Sequence, residues 1–261
     1  MARSKKWFAS KAGAIAVSEE RGVRMLHIGG DAIQSAMRLS APDALELDYT
    51  RAMMACLLFC PKPQEILMVG LGGGSLARFM HARLSESRIT VVEINPGMIA
   101  AARQYFGLPA EDARLQVVLG DGADYVPEHQ ASADVLLLDG FEDGAHATEL
   151  CTQRFYDASR AALREGGVLS ANFMADDPKL ELWNRRIGRS FGGRVLRVSA
   201  ENAVNVIVLA FHGGPARIAW DELKARARAL KRRFDLPFDY FVASLKANNA
   251  HTARYLRIAP D

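Results

Sequence analysis

Along the N-terminal stretch, apolar and polar positions alternate in short bursts. Ala14-Ile15-Ala16-Val17 is cut by Glu19-Glu20-Arg21-Gly22, Val23 to Ile28 resumes, Gly29-Gly30-Asp31 interrupts, and Gln34 to Leu39 follows. Bursts of this length between turn residues predict a small antiparallel sheet. From Pro42-Asp43 to about Phe59 the spacing changes to that of a helix, with Leu47, Met54 and Leu58 on its buried face. Pro61 and Pro63 end it.

Beyond Pro63 the pattern becomes strand–helix alternation. Glu65 to Val69, Ile89 to Val92, Leu115 to Leu119, Val135 to Leu138 and Val168 to Phe173 are apolar runs separated by helical stretches. Continuous apolar runs mark strands covered on both faces, and the alternation predicts a doubly wound parallel sheet. Arg194 to Val198 and Val204 to Ala210 are separated only by Ser199 to Ala203. That link is too short for a crossover helix, so these two strands are predicted to be antiparallel. The fold class expected is α/β: a Rossmann-like, class I methyltransferase-type sheet of seven strands, the last two antiparallel, after a small N-terminal β-sheet. Residues 1–45 are expected to form the small sheet domain and 46–261 the nucleotide-binding catalytic domain.

Composition narrows the setting. The 261 residues are 49% hydrophobic and 24% charged, with a formal net charge of +3. That suits one large domain with a core and gives no reason to expect nucleic acid. The basic stretch after Trp220 (Lys224, Arg226, Arg228, Lys231, Arg232, Arg233) reads as a solvated helix face. Met1 to Val17 does not make a signal peptide, and no run approaches a membrane span. A soluble, cytoplasmic protein is expected. Cys56, Cys60 and Cys151 read as small buried residues, and the histidines show no metal-ligand spacing, so no metal is expected.

The candidate chemistry lies at the ends of the predicted strands, where open α/β sheets bind ligands. Val69-Gly70-Leu71-Gly72-Gly73-Gly74-Ser75 follows the first sheet strand and opens a helix. Glycines there allow a tight turn and close approach of a nucleotide to the backbone. Glu93 ends the next strand, where a carboxylate can accept both ribose hydroxyls. Gly120-Asp121-Gly122 follows the third strand, where acid and backbone can read an adenine edge. Asp139-Gly140-Phe141-Glu142-Asp143 follows the fourth and sets three carboxylates at the sheet edge, with His146 close behind.

In combination these segments resemble the spermidine synthases. The resemblance runs from about Gly22 to His212 and includes Leu47-Asp48-Tyr49, Cys60-Pro61-Lys62-Pro63 and the strand leading into Gly72-Gly73-Gly74. Gly30-Asp31-Ala32-Ile33-Gln34 is similar to the family's Asp-Gly-x-x-Gln segment, with the first two residues exchanged. The resemblance implies that Gln34, Glu93 and Asp121 bind the nucleotide beside Gly70, Gly72, Gly73, Gly74 and Gly122. It also implies Asp139 as the acid–base residue, with Tyr49 and Glu142 in the amine pocket. The co-substrate implied is S-adenosylmethionine or its decarboxylated form, and the partners implied are a small amine acceptor and a second copy in a homodimer. Ser75-Leu76 stands where the family continues Asp-Gly, and Thr50-Arg51 where it has His or Gln and then Glu. Ser199-Ala200-Glu201-Asn202 replaces a Tyr- and Pro-containing segment. By the resemblance, Ser75 removes a counter-charge for the donor's aminopropyl group and the other departures weaken the amine pocket, leaving methyl transfer, or nucleotide binding without catalysis, as alternatives.

Overall fold

The computed structural model describes residues 5–7, 15–30, 32–142 and 145–260, with side chains for all of these but 5–7, 141–142 and 145–146. Four N-terminal strands, β1 (Lys5–Trp7), β2 (Ile15–Glu20), β3 (Val23–Ile28) and β4 (Ile33–Arg38), form an antiparallel sheet in chain order. The sequence pattern predicts the last three and misses β1. Arg21 and Gly22 close the β2–β3 hairpin with φ of 51° and 75°. A two-residue turn with both φ positive matches the twist of the strands it joins.

The helix expected from Pro42 starts later. α1 covers Asp48–Met53 and passes into a 3-10 turn over Met54–Leu58. Arg51 explains the delay. Its Nη1 donates to the carbonyls of Leu45 (3.0 Å) and Glu46 (2.8 Å), acceptors that a longer helix would have given to backbone N–H groups.

The main sheet is built from β5 (Glu65–Val69), β6 (Arg88–Glu93), β7 (Leu115–Leu119) and β8 (Ala133–Leu138). The first two crossovers are α2 (Ser75–Arg83) and α3 (Pro96–Tyr105), and α4 (Gly122–Glu128) leads to β8. A small hairpin of β9 (Phe141–Glu142) and β10 (Ala145–His146) precedes α5 (Gln153–Ala162). Then come β11 (Leu163–Met174), α6 (Leu180–Ser190), β12 (Val195–Ser199) and β13 (Asn205–Phe211). The strand order is β12-β13-β11-β8-β5-β6-β7. β13 lies between β11 and β12 and runs against both, while the other neighbouring pairs are parallel. The seven-stranded sheet whose last two strands are antiparallel to each other is the one the sequence predicts.

The C-terminal part adds β14 (Arg217–Ala219), α7 (Trp220–Phe234), α8 (Phe238–Asn248) and β15 (Tyr255–Arg257). α7 buries Trp220, Leu223, Ala227, Leu230 and Phe234 and leaves Lys224, Arg228 and Lys231 exposed. The small sheet is not free-standing. Ile15, Val17, Leu26 and Met37 pack with Met98, Ala101 and Phe106 of α3 and its end. The surface this sheet needs for burial is thus supplied by the same chain. Among the described residues no helix is long and apolar enough to cross a membrane.

Candidate active site

A cleft of about 700 Å³ opens between the carboxyl ends of β5, β6, β8 and β11 and the last strand of the small sheet. Its floor is the loop after β5. Gly70, Gly72 and Gly74 there have φ of 93°, 54° and 72°, a region side chains disfavour. At Gly70 a Cβ would also strike the carbonyl oxygen of Asp139. The absence of a side chain therefore lets the loop touch the end of β8, where the amide of Asp139 donates to Val69 O at 2.9 Å.

Arg78, only 2% exposed, holds the loop from beneath. Its Nη1 donates to the carbonyls of Gly73 (3.3 Å) and Phe106 (2.6 Å), and its Nε donates to Pro42 O (2.6 Å). Burial lowers this guanidinium to about 10. Gly70 and Gly72 line the cleft. Gly73 and Gly74 instead turn towards packing neighbours, Ser35 and Phe106 for the first and Leu108 for the second.

Glu93 ends β6 on the cleft wall, buried. Its Oε2 accepts from Leu71 N and its Oε1 from Asn95 N, both at 2.8 Å. Burial raises its pKa and the backbone N–H groups oppose that rise. Asp121 and Gly122 line the same end. Asp121 caps α4, with Oδ1 accepting from Ala123 N at 2.8 Å.

At the other end Asp139 and Tyr49 meet. The Tyr49 hydroxyl donates to the backbone oxygen of Gln34 at 3.3 Å and stands close enough to the Asp139 carboxylate for each to shift the other. Asn172 Nδ2 donates to Asp139 Oδ1 at 2.9 Å. Burial raises the Asp139 pKa, the hydrogen bonds from Asn172 and Tyr49 lower it, and the charge of Glu93 raises it. Tyr49 is held well above its ordinary value by burial and by the Asp139 charge, so it stays a donor. Asn205 Nδ2 in turn donates to Asn172 Oδ1 at 3.0 Å. Neither asparagine is among the residues predicted from the sequence. The available signal is a polar residue inside a run that is otherwise apolar: Asn172 within β11 and Asn205 opening β13.

The Asp139 end of the cleft is completed by Thr50, Met174, Asn202 and Val204. Arg51 pairs with Asp48 on its own helix and, through Nε, with Glu201 Oε2 at 3.1 Å, which ties α1 to the link between β12 and β13. Ser75 is buried, 3.1 Å from Ser35 Oγ and donating to Ala36 O. The Glu142 and His146 side chains, and all of Asp143, lie outside the described residues. Among the described residues no group of three or more His, Cys, Asp or Glu is placed to hold a metal ion. A second hollow of about 620 Å³, lined by Trp220, Asp239 and Lys246, holds none of the predicted site residues.

The family model that matches this chain is the spermine/spermidine synthase domain, over residues 46–183. The chain belongs to the spermine/spermidine synthase family. The polyamine aminopropyltransferase of Chromobacterium violaceum is 41% identical over 94% of this chain and 94% of that protein. A spermidine synthase solved with the transition-state analogue AdoDATO superposes with a TM-score of 0.71 at 23% identity, covering 92% of this chain and 84% of that one. Human methyltransferase-like protein 13, solved with SAH, is similar over 73% of this chain and 94% of its own, with a TM-score of 0.66 and 28% identity. Family members of this kind are transferases, and the fold is the one the spermidine synthases share with methyltransferases.

Proposed function

We propose that the chain transfers an aminopropyl group from decarboxylated S-adenosylmethionine to a small amine. The observation that carries this is one cleft joining the glycine loop and Glu93 to Asp139 and Tyr49. It is supported by the family match and by a relative that shares nearly its full length. In this reading Glu93 meets the ribose and Asp121 the adenine, with Gln34 beside them. The sulfonium makes its adjacent methylene electrophilic. The amine nitrogen attacks that carbon, the carbon–sulfur bond breaks, and methylthioadenosine leaves with the electron pair.

The attacking nitrogen must shed a proton, and aliphatic amines near pKa 10 are mostly protonated at neutral pH. Asp139 accepts that proton and orients the nucleophile. Tyr49, held as a donor, steadies the carboxylate. The acceptor end is lined by amides, Met174 and Val204. Such a wall favours an amine longer or less charged than putrescine. A homodimer and a cytoplasmic setting complete the proposal.

Methyl transfer is the second reading, supported by the likeness to the methyltransferase solved with SAH. Calorimetry with S-adenosylmethionine, its decarboxylated form and methylthioadenosine separates the two. Tighter binding of the decarboxylated donor, with methylthioadenosine released in the presence of a diamine panel, is expected. Tighter binding of the intact donor and no such release would transfer the assignment to methyl transfer.

A further inference from the structure

The Asp139 carboxylate stands at one end of a line of side chains, Met174–Asn205–Asn172–Asp139, that has a direction. Asn205 Nδ2 lies 3.6 Å from Met174 Sδ and 3.0 Å from Asn172 Oδ1, and Asn172 Nδ2 lies 2.9 Å from Asp139 Oδ1. Asn172 is 3% exposed and Asn205 is 8% exposed. We propose that Asn205 and Asn172 are positioning residues that fix which half of an amide faces Asp139, and thereby keep the carboxylate ionised for the amine.

The polarity follows from what each atom can do. A thioether sulfur accepts and never donates, so the Asn205 group beside it is the NH₂. That same NH₂ faces Asn172, whose near atom is therefore the carbonyl oxygen. The Asn172 NH₂ is then left for Asp139, and an N–H donor favours the charged form of a carboxylate. Were Asn172 turned over, its oxygen would face Asp139 and favour the protonated acid, which cannot accept a proton from the substrate.

Other groups act on Asp139 without fixing this choice. Tyr49 on α1 stands beside it and favours its charged form, and Glu93 at the end of β6 opposes its charge. Glu149 lines the same cleft from the turn after β10, with its side chain exposed. The inference rests on Asp139 being the base of the proposed reaction, and it extends that role to two residues with no contact requirement on the nucleotide.

The test reads Asp139 directly. In the full-length chain with ¹³C-carboxyl aspartate, the Asp139 resonance is titrated in wild type, Asn205→Leu and Met174→Leu, with the Asp139→Asn variant giving the assignment. Asn205→Leu removes the donor without adding charge. Its Asp139 midpoint is expected to rise by about one pH unit, a tenfold gain in proton affinity. Met174→Leu keeps size and apolarity but loses the acceptor-only anchor, and a smaller rise is expected. The acid limb of kcat/KM should move up with the midpoint, while methylthioadenosine affinity stays within about twofold.

An unmoved midpoint in both variants overturns the proposal, even if turnover falls. A uniform loss of kcat/KM with its acid limb unchanged does the same. Should Asn205→Leu fail to fold, the Met174→Leu midpoint decides alone. Because the resonance is followed without turnover, a chain inactive on every amine would count against the proposed function and leave this test standing.

Discussion

The two halves of the cleft are held by different kinds of bond. In the half proposed to bind the nucleotide, backbone makes the geometry: left-handed glycines, Leu71 N and Asn95 N on Glu93, Ala123 N on Asp121, and Arg78 on the carbonyls of Gly73, Phe106 and Pro42. In the half proposed to hold the amine, side chain meets side chain across α1, the end of β8, β11 and β13. Backbone-built sites tolerate little sequence change, since the glycines and caps are set by conformation. Side-chain-built sites can be rewritten one residue at a time. The departures from the family at Thr50, Arg51 and Ser199 to Asn202 fall around the Asp139 end, whereas Ser75 departs at the glycine loop itself, where its hydroxyl is taken up by Ser35 and Ala36.

The sharpest way to break this contrast is Asp139→Asn. General-base loss should reduce turnover by about 10²–10⁴-fold. Methylthioadenosine affinity, measured by calorimetry, should stay within about 1 kcal/mol, because the base acts in the transition state. Equal losses in both would show that the halves are one unit.

Glu93→Ala comes next. It should weaken nucleotide binding by about 1.5–3 kcal/mol, the scale of hydrogen bonds to a charged group. Because Glu93 also joins the amides of Leu71 and Asn95, amide exchange in the glycine loop should speed up in the same variant. Unchanged affinity with the fold intact would remove Glu93 from the site.

A smaller effect concerns stability. The folded state raises the Asp139 pKa above its unfolded value. In that case the unfolded chain binds fewer protons between the two values, so stability falls as pH rises from the unfolded to the folded pKa. Above that window the ionised carboxylate is a net cost to the fold, carried for function. Asp139→Asn should therefore raise the melting temperature near pH 7.5, and that gain should vanish at low pH. A loss at neutral pH would mean that the Asn172 and Tyr49 bonds outweigh burial.

The smallest change is expected from Arg51→Ala. Its pairs with Asp48 and Glu201 are partly exposed. Such pairs contribute about 0–1 kcal/mol to stability. The nucleotide affinity should not move, whereas KM for the amine should, since the same side chain ties α1 to the loop bearing Asn202. A change in nucleotide affinity would blur the boundary between the halves.

The same division governs what could be read from the chain itself. Glu65 to Val69 and Asn205 to Phe211 are legible because strands covered on both faces are apolar throughout, and Leu115 to Leu119 is legible although its place at the sheet edge leaves Gln116 and Leu119 exposed. The glycine loop, Glu93, Asp121 and Asp139 are legible because each sits at a strand end. The late start of α1 is not, since it depends on Arg51 reaching back to carbonyls whose availability no local propensity encodes. Nor is the packing role of Gly73 and Gly74, which is set by Ser35 and Leu108 from distant segments. Asn172 and Asn205 are 33 positions apart. Their pairing exists only because β13 folds back beside β11.

That placement of β13 also orders events during synthesis. The strand is the last of the main sheet to leave the ribosome, yet its seat is between two strands made earlier. Until residue Asn205 and its successors arrive, β11 presents an open edge and β12 has no neighbour to pair with. An open edge strand invites pairing with other chains. In chain order the strands that carry the glycine loop, Glu93 and Asp139 therefore precede the one that covers the open edge of β11 and brings Asn205 to Asn172. Chains truncated before Phe211 should be sticky and catalytically silent together.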